Sequence, residues 1–360
     1  MYETERTNPS LVTDYPKDQP PQLVLKYLSI PAPGPAQILV KVSHAAQNPT
    51  DVKSLDRNAY GPGAVLGCDF VGDVVDIGSN AKKVKRGDVI AGLIRGGEIK
   101  ELGAFTTYTL AEENLSFKLP TNISREEAST IPLAVTTAWM GLFSKGSLGL
   151  DRVESESSVG CLLVWGGGSS VGSAAIQLAA LHGIKVVTTC NPRHESLLRA
   201  YGAKEVFDYK DENVIEKIRA AAPDLLYVFD TIGNSTSSGA ASKAITRNGG
   251  KLCTVLPGKG NTGNVASGVE ILDVFVWTVF GRDTGFKGSG LNGEGGLFWP
   301  ASKEECALAG ELYKNLPGWL ESGRFKMSTP KVFGGLESVS QGFQEQREGR
   351  ISGYKIVYRV

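Results

Sequence analysis

The chain is poor in the groups that announce a metal or a disulfide. Its 360 residues include three histidines and five cysteines. The cysteines, Cys68, Cys161, Cys190, Cys253 and Cys306, are scattered singly and form no C-x-x-C pair. This excludes a four-cysteine zinc lobe, suggests no disulfide framework, and fits a reducing, cytoplasmic compartment. No histidine sits in a motif; His44 reads as a packed strand residue. Charge of either sign is not in excess: 38 Lys and Arg face 38 Asp and Glu, a formal net charge of +0. Nothing here draws a polyanion such as nucleic acid. The densest basic run, Lys82-Lys83-Val84-Lys85-Arg86, precedes Gly87-Asp88 and reads as a solvated turn. No run approaches the roughly 18 apolar residues of a membrane span. The polar, proline-bearing stretch Met1 to Pro21 is not a secretory signal and reads as a loose tail.

What is present is ordinary globular composition, 41% hydrophobic and 21% charged, in a chain long enough for two domains with real cores. One stretch organises it. Leu162-Leu163-Val164-Trp165 is an apolar strand, Gly166-Gly167-Gly168-Ser169-Ser170-Val171-Gly172 a glycine-rich turn, and Ser173 to Ala179 an apolar-periodic helix. Strand, glycine turn and helix together make a pyrophosphate site, with the helix N-terminus facing the anion. Read against G-x-G-x-x-G, the three places fall at Gly167, Ser169 and Gly172. Serine at the middle place is small, and its hydroxyl is available to a phosphate. Ser170 and Val171 complete the turn. The last glycine, Gly172, lets helix and strand pack closely.

The flanking patterns differ. From Gln22 to about Lys118 the chain is β-rich, with strands expected at Ile38–Ser43, Asp69–Ile77, Asp88–Gly92 and Ala104–Leu110. Ser124-Arg125-Glu126-Glu127 is a capping box that starts a helix, Pro132 interrupts it, and Thr136 to Lys145 forms a second helical run. Gly146 to Ser158 reads as a loop. Strands at 161–165, 185–190, 205–208, 225–231 and 251–256 then alternate with helices at 170–182, after Pro192, at 212–222 and at 235–246. That alternation argues a parallel sheet covered on both faces. Gly258 to Gly268 reads as a mobile loop, Val269 to Phe280 as an apolar β-branched run, and Gly281 to Gly296 as a glycine-rich lid or rim. A helix follows from Ser302 to about Ser322, with Pro317 expected to bend or break it. A strand near Lys331, a helix at 337–348 and a strand at 354–359 return to the first domain.

The tip of the second strand of the alternating region reads Cys190-Asn191-Pro192-Arg193-His194-Glu195. An NAD site places an acid on the ribose hydroxyls here. The tip has none, and Arg193 is suited to a 2′-phosphate by bidentate pairing, with His194 beside it. This reads as NADP preference. Glu195 offers the opposing choice of a ribose contact.

Asn48-Pro49-Thr50-Asp51-Val52-Lys53, Leu66-Gly67-Cys68-Asp69-Phe70-Val71-Gly72, Gly166 to Gly172 and Val206-Phe207-Asp208-Tyr209 together resemble the medium-chain dehydrogenase/reductase superfamily. The resemblance covers nearly the whole chain. It implies an α/β fold: a Rossmann doubly wound parallel sheet over 128–296, plus a chaperonin-10-like β-rich catalytic domain from 1–127 and 297–360. Zinc members carry a cysteine where Asn48 stands and Gly-His-Glu where Gly67-Cys68-Asp69 stands. Cys68 and Asp69 alone cannot supply the three ligands a catalytic zinc needs, so no metal is expected. Cys68 reads as a small buried hydrophobe.

Without a Lewis acid on the carbonyl, hydride is expected at the β-carbon of a conjugated C=C, where the carbonyl oxygen needs only hydrogen-bond donors. Within the zinc-free branch, Asn48 to Lys53, Pro132 to Trp139, Thr278-Val279-Phe280-Gly281 and Gly349-Arg350-Ile351-Ser352-Gly353 are most similar to stand-alone, trans-acting enoyl reductases of fungal polyketide pathways. That likeness implies NADPH as cofactor. Asn48, Pro49, Thr50 and Asp51 would line the nicotinamide end, Ser169 to Gly172 the pyrophosphate, and Pro192 to Glu195 with Tyr209 the 2′-phosphate. Leu256 and Pro257 would flank the nicotinamide, and Ile351 and Ser352 would reach it from the C-terminal return. Pro132, Leu133, Ala134, Val135, Thr136, Thr137, Ala138 and Trp139, with Trp277 to Gly281, would wall the substrate. Lys53 is the candidate polar group near the reacting carbonyl or cofactor, and Thr136 and Thr137 are candidate donors to a substrate oxygen. Water is a sufficient proton source for the α-carbon.

Three readings follow: an NADPH-dependent enoyl reductase acting on a thioester held by a synthase's carrier protein, a quinone or enone reductase with small soluble substrates, and a non-catalytic NADPH-binding sensor. Monomer and homodimer are both compatible with the sequence; the closer resemblance implies a monomer.

Overall fold

The computed structural model describes residues 7–152, 160–286 and 296–360, and the chain divides into two compact units. The first runs to Leu133 and takes in Tyr313–Gly323 and Met327–Val360; the second is Ala134–Leu312 with Arg324–Lys326. In chain order the first stretch supplies β1 (Thr7–Asp14), β2 (Gln22–Ser29), β3 (Gln37–Ala46), α1 (Pro49–Asp56), β4 (Asp69–Ile77), β5 (Val89–Leu93), β6 (Tyr108–Glu112), β7 (Ser116–Lys118) and α2 (Arg125–Ser129). The middle supplies α3 (Pro132–Phe143), β8 (Cys161–Trp165), α4 (Ser170–Leu181), β9 (Lys185–Cys190), α5 (Glu195–Ala200), β10 (Glu205–Asp208), α6 (Val214–Ala221), β11 (Tyr227–Asp230), α7 (Ser237–Ser242), β12 (Lys251–Thr254), β13 (Glu270–Asp273), β14 (Thr284–Phe286), β15 (Leu297–Trp299) and α8 (Lys303–Glu321). The return is β16 (Pro330–Gly334), α9 (Val339–Arg347) and β17 (Lys355–Arg359).

The first unit is built on a sheet of order β16-β17-β3-β4-β5-β7, with β6 also paired to β3. The long strand β3 serves three partners. Its first half pairs β6, its last residues pair β17, and register shifts at Leu39/Val40 and Val42/His44 bend it along β4. Ile38, Val40, Phe70, Ile90, Phe105, Phe343 and Tyr358 fill the core beneath. Phe105 meets Tyr358 edge-on at 5.7 Å between ring centroids, which ties the C-terminal return into this core.

The second unit is a parallel sheet of order β10-β9-β8-β11-β12-β13. Numbered by appearance this is 3-2-1-4-5-6, the doubly wound dinucleotide-binding order, and its topological switch lies between β8 and β11. Every residue of β8 is buried, as expected for a central strand covered on both faces.

Several boundaries differ from the sequence reading. Residues 7–14 are not a loose tail: β1 pairs along its length with β2. Its polar residues misled because they are satisfied internally. Asn8 bonds the Tyr108 carbonyl, Ser10 the Thr106 hydroxyl and Thr13 the Gly61 carbonyl. The strand expected at 104–110 is displaced to β6, and Ala104 and Phe105 are core filling ahead of it. Pro132 opens α3, where a missing N–H costs nothing, so that helix starts four residues before the expected Thr136. Helix α7 is shorter than 235–246. The run Val269 to Phe280 is strand only at β13 and then turns into a 3₁₀ segment, Val276–Phe280. Helix α8 passes through Pro317 without ending, with Leu312, Leu316 and Leu320 buried on either side of it. The return was expected from residue 297, but the N-terminal half of α8 packs within the second unit. There Ser144 donates to Glu305, and the Trp139 indole donates to the Leu308 carbonyl. Of the expected loop Gly146–Ser158 and lid Gly281–Gly296, residues 153–159 and 287–295 lie outside the described residues.

Candidate active site

The β8–α4 turn carries the dinucleotide motif. Gly166 has φ +88°, a left-handed turn only glycine adopts easily. A Cβ on Gly172 would lie 2.3 Å from the Gly166 carbonyl oxygen, so helix and strand meet there as the motif requires. Gly167 is closed by Thr188, whose Oγ1 would lie 2.2 Å from an added Cβ.

Ser169 lies between the glycine turn and α4. It is the N-cap of α4, and its Oγ accepts from the Gly172 N–H at 2.9 Å. The same Oγ lies 2.9 Å from Thr231 Oγ1. The Thr231 hydroxyl already donates to the Trp165 and Gly166 carbonyls, at 2.9 and 3.0 Å. With the Thr231 proton on those carbonyls, Ser169 donates to Thr231. The open places are Gly168, which is exposed, and the N–H groups of Ser170 and Val171 in the first turn of α4. These residues fit a dinucleotide pyrophosphate.

Sequence reasoning missed Thr231 and its neighbour Asp230. Asp230 is fully buried at the end of β11. One oxygen accepts the N–H groups of Ile232 and Gly233, the other the hydroxyls of Ser237 and Ser238 at 2.7 Å. It fixes the loop that presents Thr231 at the switch between β8 and β11. An acid and a hydroxyl closing an apolar strand were the available signal.

At the tip of β9, Pro192 and Arg193 are exposed and His194 is half-buried. Arg193 Nε donates to His194 Nε2 at 3.1 Å. Burial, then the Arg193 charge, holds the His194 pKa below the usual histidine value, so it serves Arg193 as a neutral acceptor. Glu195 pairs with Arg199 at 2.9 Å on the next turn of α5. Tyr209 is exposed after β10, with the Lys210 ammonium 5.9 Å from its ring centre; Lys210 was not singled out by the sequence. Leu256 and Pro257 follow β12, half-buried.

The candidate substrate residues of this unit are mostly interior. Thr136 is fully buried, and Trp139 is packed edge-on against Phe143 at 4.7 Å. Within Ala134 to Trp139, Thr137 alone keeps part of its surface exposed, which makes it the better candidate donor. Trp277, Thr278 and Val279 are buried in the 3₁₀ segment, and the Thr278 hydroxyl donates to the Phe275 carbonyl. Phe280 lies under the Arg282 guanidinium, and Gly281 caps the segment at φ +64°.

In the first unit, Asn48 is the N-cap of α1 and Pro49 its first residue. Asn48 and Asp51 are buried, Thr50 is half-buried, and Pro49 and Lys53 are exposed. Partial desolvation and the nearby Arg57 charge lower the Lys53 pKa. Ile351 packs on the unit's core and Ser352 is exposed. Asp51 accepts from its own cap, the Asn48 N–H, at 2.7 Å, and from the Cys68 thiol at 3.3 Å. Burial pushes its carboxyl up to about 7 despite those bonds. Beside it, Asp69 is ion-paired with Lys355.

The sequence matches the family described as "Alcohol dehydrogenase GroES-like domain" over residues 34–121 and "Zinc-binding dehydrogenase" over 170–275. It is 33% identical to the trans-enoyl reductase caaB of Aspergillus niger over 92% of both chains, and 32% identical to the trans-enoyl reductase traG of Penicillium crustosum, again over 92% of each. Among solved structures it is similar to an alcohol dehydrogenase superfamily protein from Novosphingobium aromaticivorans. The TM-score there is 0.77, with 24% identity over 98% of this chain and 100% of the other, a likeness of fold. Fold and motif thus define a nicotinamide-dependent oxidoreductase with a GroES-like unit and a Rossmann unit. The chain belongs to the medium-chain dehydrogenase/reductase superfamily.

The second family description implies zinc, and the donors present do not fit one. Asn48 offers an amide. Burial, with Asp51 and Asp69 alongside, drives the Cys68 thiol well above its usual pKa, so it stays protonated. Among the described residues no group of three or more His, Cys, Asp or Glu side chains is placed to hold a metal ion.

Proposed function

We propose that the protein is an NADPH-dependent, zinc-independent enoyl reductase. It delivers hydride to the β-carbon of an α,β-unsaturated thioester, a polyketide intermediate held on a synthase's carrier protein. The observation that carries this reading is the likeness to two proteins named trans-enoyl reductases over nine-tenths of each chain. The choice of NADPH over NADH is supported by a β9 tip that presents Arg193 and turns Glu195 onto Arg199.

Bound NADPH would supply the hydride. On the second unit, Gly168 and the first-turn N–H groups of α4 hold the pyrophosphate, and Arg193, backed by His194, holds the 2′-phosphate with Tyr209 and Lys210 beside it. Leu256 and Pro257 flank the nicotinamide. On the first unit, Asn48 to Asp51, with Ile351 and Ser352, serve the reacting end. Reduction moves negative charge onto the thioester oxygen, which hydrogen-bond donors stabilise. Lys53, made more acidic by its surroundings, is the donor suited to it. Water completes the reaction by protonating the α-carbon. The protein acts as a cytoplasmic monomer on carrier-bound acyl chains.

NADPH oxidation measured with a crotonyl-type thioester, a simple enone and a simple quinone tests this. Thioester turnover is expected. Turnover mainly with the quinone contradicts the thioester assignment, and NADPH binding without turnover on any acceptor moves the reading to a sensor.

A further inference from the structure

Helix α9 carries a glycine in its middle, Gly342, and a polar cluster fills the space that a side chain there would take. A Cβ on Gly342 would lie 1.9 Å from the Tyr358 hydroxyl oxygen and 2.7 Å from Gln47 Oε1. Gln47 is 4% exposed and Tyr358 0%. Gln47 Nε2 donates to the Gly342 carbonyl at 3.1 Å and to Gln346 Oε1 at 2.9 Å. A backbone carbonyl only accepts, so it fixes the amide with Oε1 turned to Tyr358, whose hydroxyl donates to it. Glycine is a poor helix former, and α9 tolerates one here because the cluster could not close around a larger residue. Gln47 immediately precedes Asn48, the cap of α1. At the other end of α1, the two Asp56 oxygens lie 3.2 and 3.3 Å from Arg347 Nε, again on α9.

The same helix holds the loop before β17. Glu345 is 5% exposed, and its two carboxylate oxygens accept from Lys331 Nζ of β16 at 3.0 and 2.9 Å. The Tyr354 hydroxyl lies 3.2 Å from both Glu345 Oε2 and the Arg350 carbonyl, and the Arg350 N–H donates to the Glu345 carbonyl at 3.0 Å. Ile351 and Ser352 stand between these two anchors, Arg350 and Tyr354. All of these residues belong to the first unit.

Apolar side chains would fill the same contacts without the cost of desolvating an amide and a carboxylate. They would also let α9 shift by small amounts. Hydrogen bonds are directional, and a satisfied buried network specifies one arrangement. One helix thus holds α1 and the 350–354 loop in a common frame.

We propose that α9 is a positioning strut for hydride transfer, with Gln47 and Glu345 as its two positioning residues. Gln47 sets Asn48 to Asp51, and Glu345 sets Ile351 and Ser352. The proposal rests on the enoyl-reductase reading only in the assignment of those two segments to the nicotinamide end.

The test uses the full chain and the variants Gln47→Leu, Glu345→Ala and, as a comparison, Thr13→Val. Thr13 is buried in the same unit and bonds the Gly61 carbonyl and the Ala64 N–H, away from both segments. All three variants lose buried hydrogen bonds and should lose a few degrees of melting temperature. Gln47→Leu and Glu345→Ala should bind NADPH within twofold of the wild type, while kcat falls by about tenfold with whichever acceptor the wild type reduces. The fluorescence emission of their bound NADPH should move toward that of free NADPH, because the reduced nicotinamide is held less closely. Thr13→Val should change neither kcat nor emission.

Wild-type kcat and emission in either folded variant overturns the proposal, and so does a Thr13→Val that loses kcat as much as they do. If Gln47→Leu fails to fold, Gln346→Ala, at a half-buried position, removes one acceptor of the Gln47 amide and is read in the same way. A wild type that reduces quinone alone sinks the enoyl-reductase reading, and kcat with quinone then judges the strut. If the wild type reduces no acceptor, the NADPH emission of the variants judges it.

Discussion

Ser169 Oγ and Thr231 Oγ1 stand 2.9 Å apart and join the cap of α4 to the end of β11. The bond crosses the switch point of the doubly wound sheet, so it braces the glycine turn from the neighbouring strand. Thr231→Val removes the acceptor and leaves the Ser169 proton unpaired. NADPH affinity should weaken several-fold with the fold intact. Ser169→Ala, which removes the cap itself, should cost about 1 kcal/mol of stability. Fluorescence titration and thermal unfolding read the two effects.

Gly172→Val should abolish dinucleotide binding. The new Cβ would lie 2.3 Å from a backbone carbonyl that cannot move without opening the β8–α4 turn. Native affinity in this variant would mean that the turn does not hold the pyrophosphate.

Arg193→Ala should raise the dissociation constant for NADPH by about tenfold and leave that for NADH unchanged. Glu195→Gln should change neither, because Glu195 faces Arg199. Isothermal titration with both dinucleotides separates these outcomes. An equal loss for NADH would take Arg193 away from the 2′-phosphate.

Asp51 makes stability depend on pH. Its folded-state pKa is raised to about 7, so the folded protein holds a proton that the unfolded chain releases. Its favourable contribution is complete below the unfolded carboxylate pKa, about 4, and is lost as pH rises through about 7. Cys68, Asp69, Lys355 and Tyr358 are the titratable groups around it, and a substitution at Asp51 leaves all four in place. Asp51→Asn should flatten the decline in melting temperature between pH 4 and 7. A decline as steep as that of the wild type would show that Asp51 does not carry it.

The parallel sheet was legible because its strands are continuous apolar runs with turn residues between them, and the Asp69–Ile77 strand because its ends are marked by glycine and acid. Gly172 was legible because a packing glycine has no substitute. What escaped was polar and long-range. Strand β1 hid behind Asn8, Ser10 and Thr13, whose partners lie as far as 100 residues away. Ser169 matched a spacing rule, but its proton is directed by Thr231, 62 residues on. Lys355 and Asp69, 286 residues apart, carry no local pattern that would pair them. Local motifs announce a site, and the partners that orient it come from elsewhere in the chain.

A steady-state assay of the purified protein with a crotonyl-type thioester, comparing NADPH with NADH, judges reaction and cofactor together. Thioester reduction with NADPH and little with NADH is the expected result. Reduction that proceeds equally well with both would contradict the cofactor assignment, and NADPH oxidation by quinone alone would contradict the reaction.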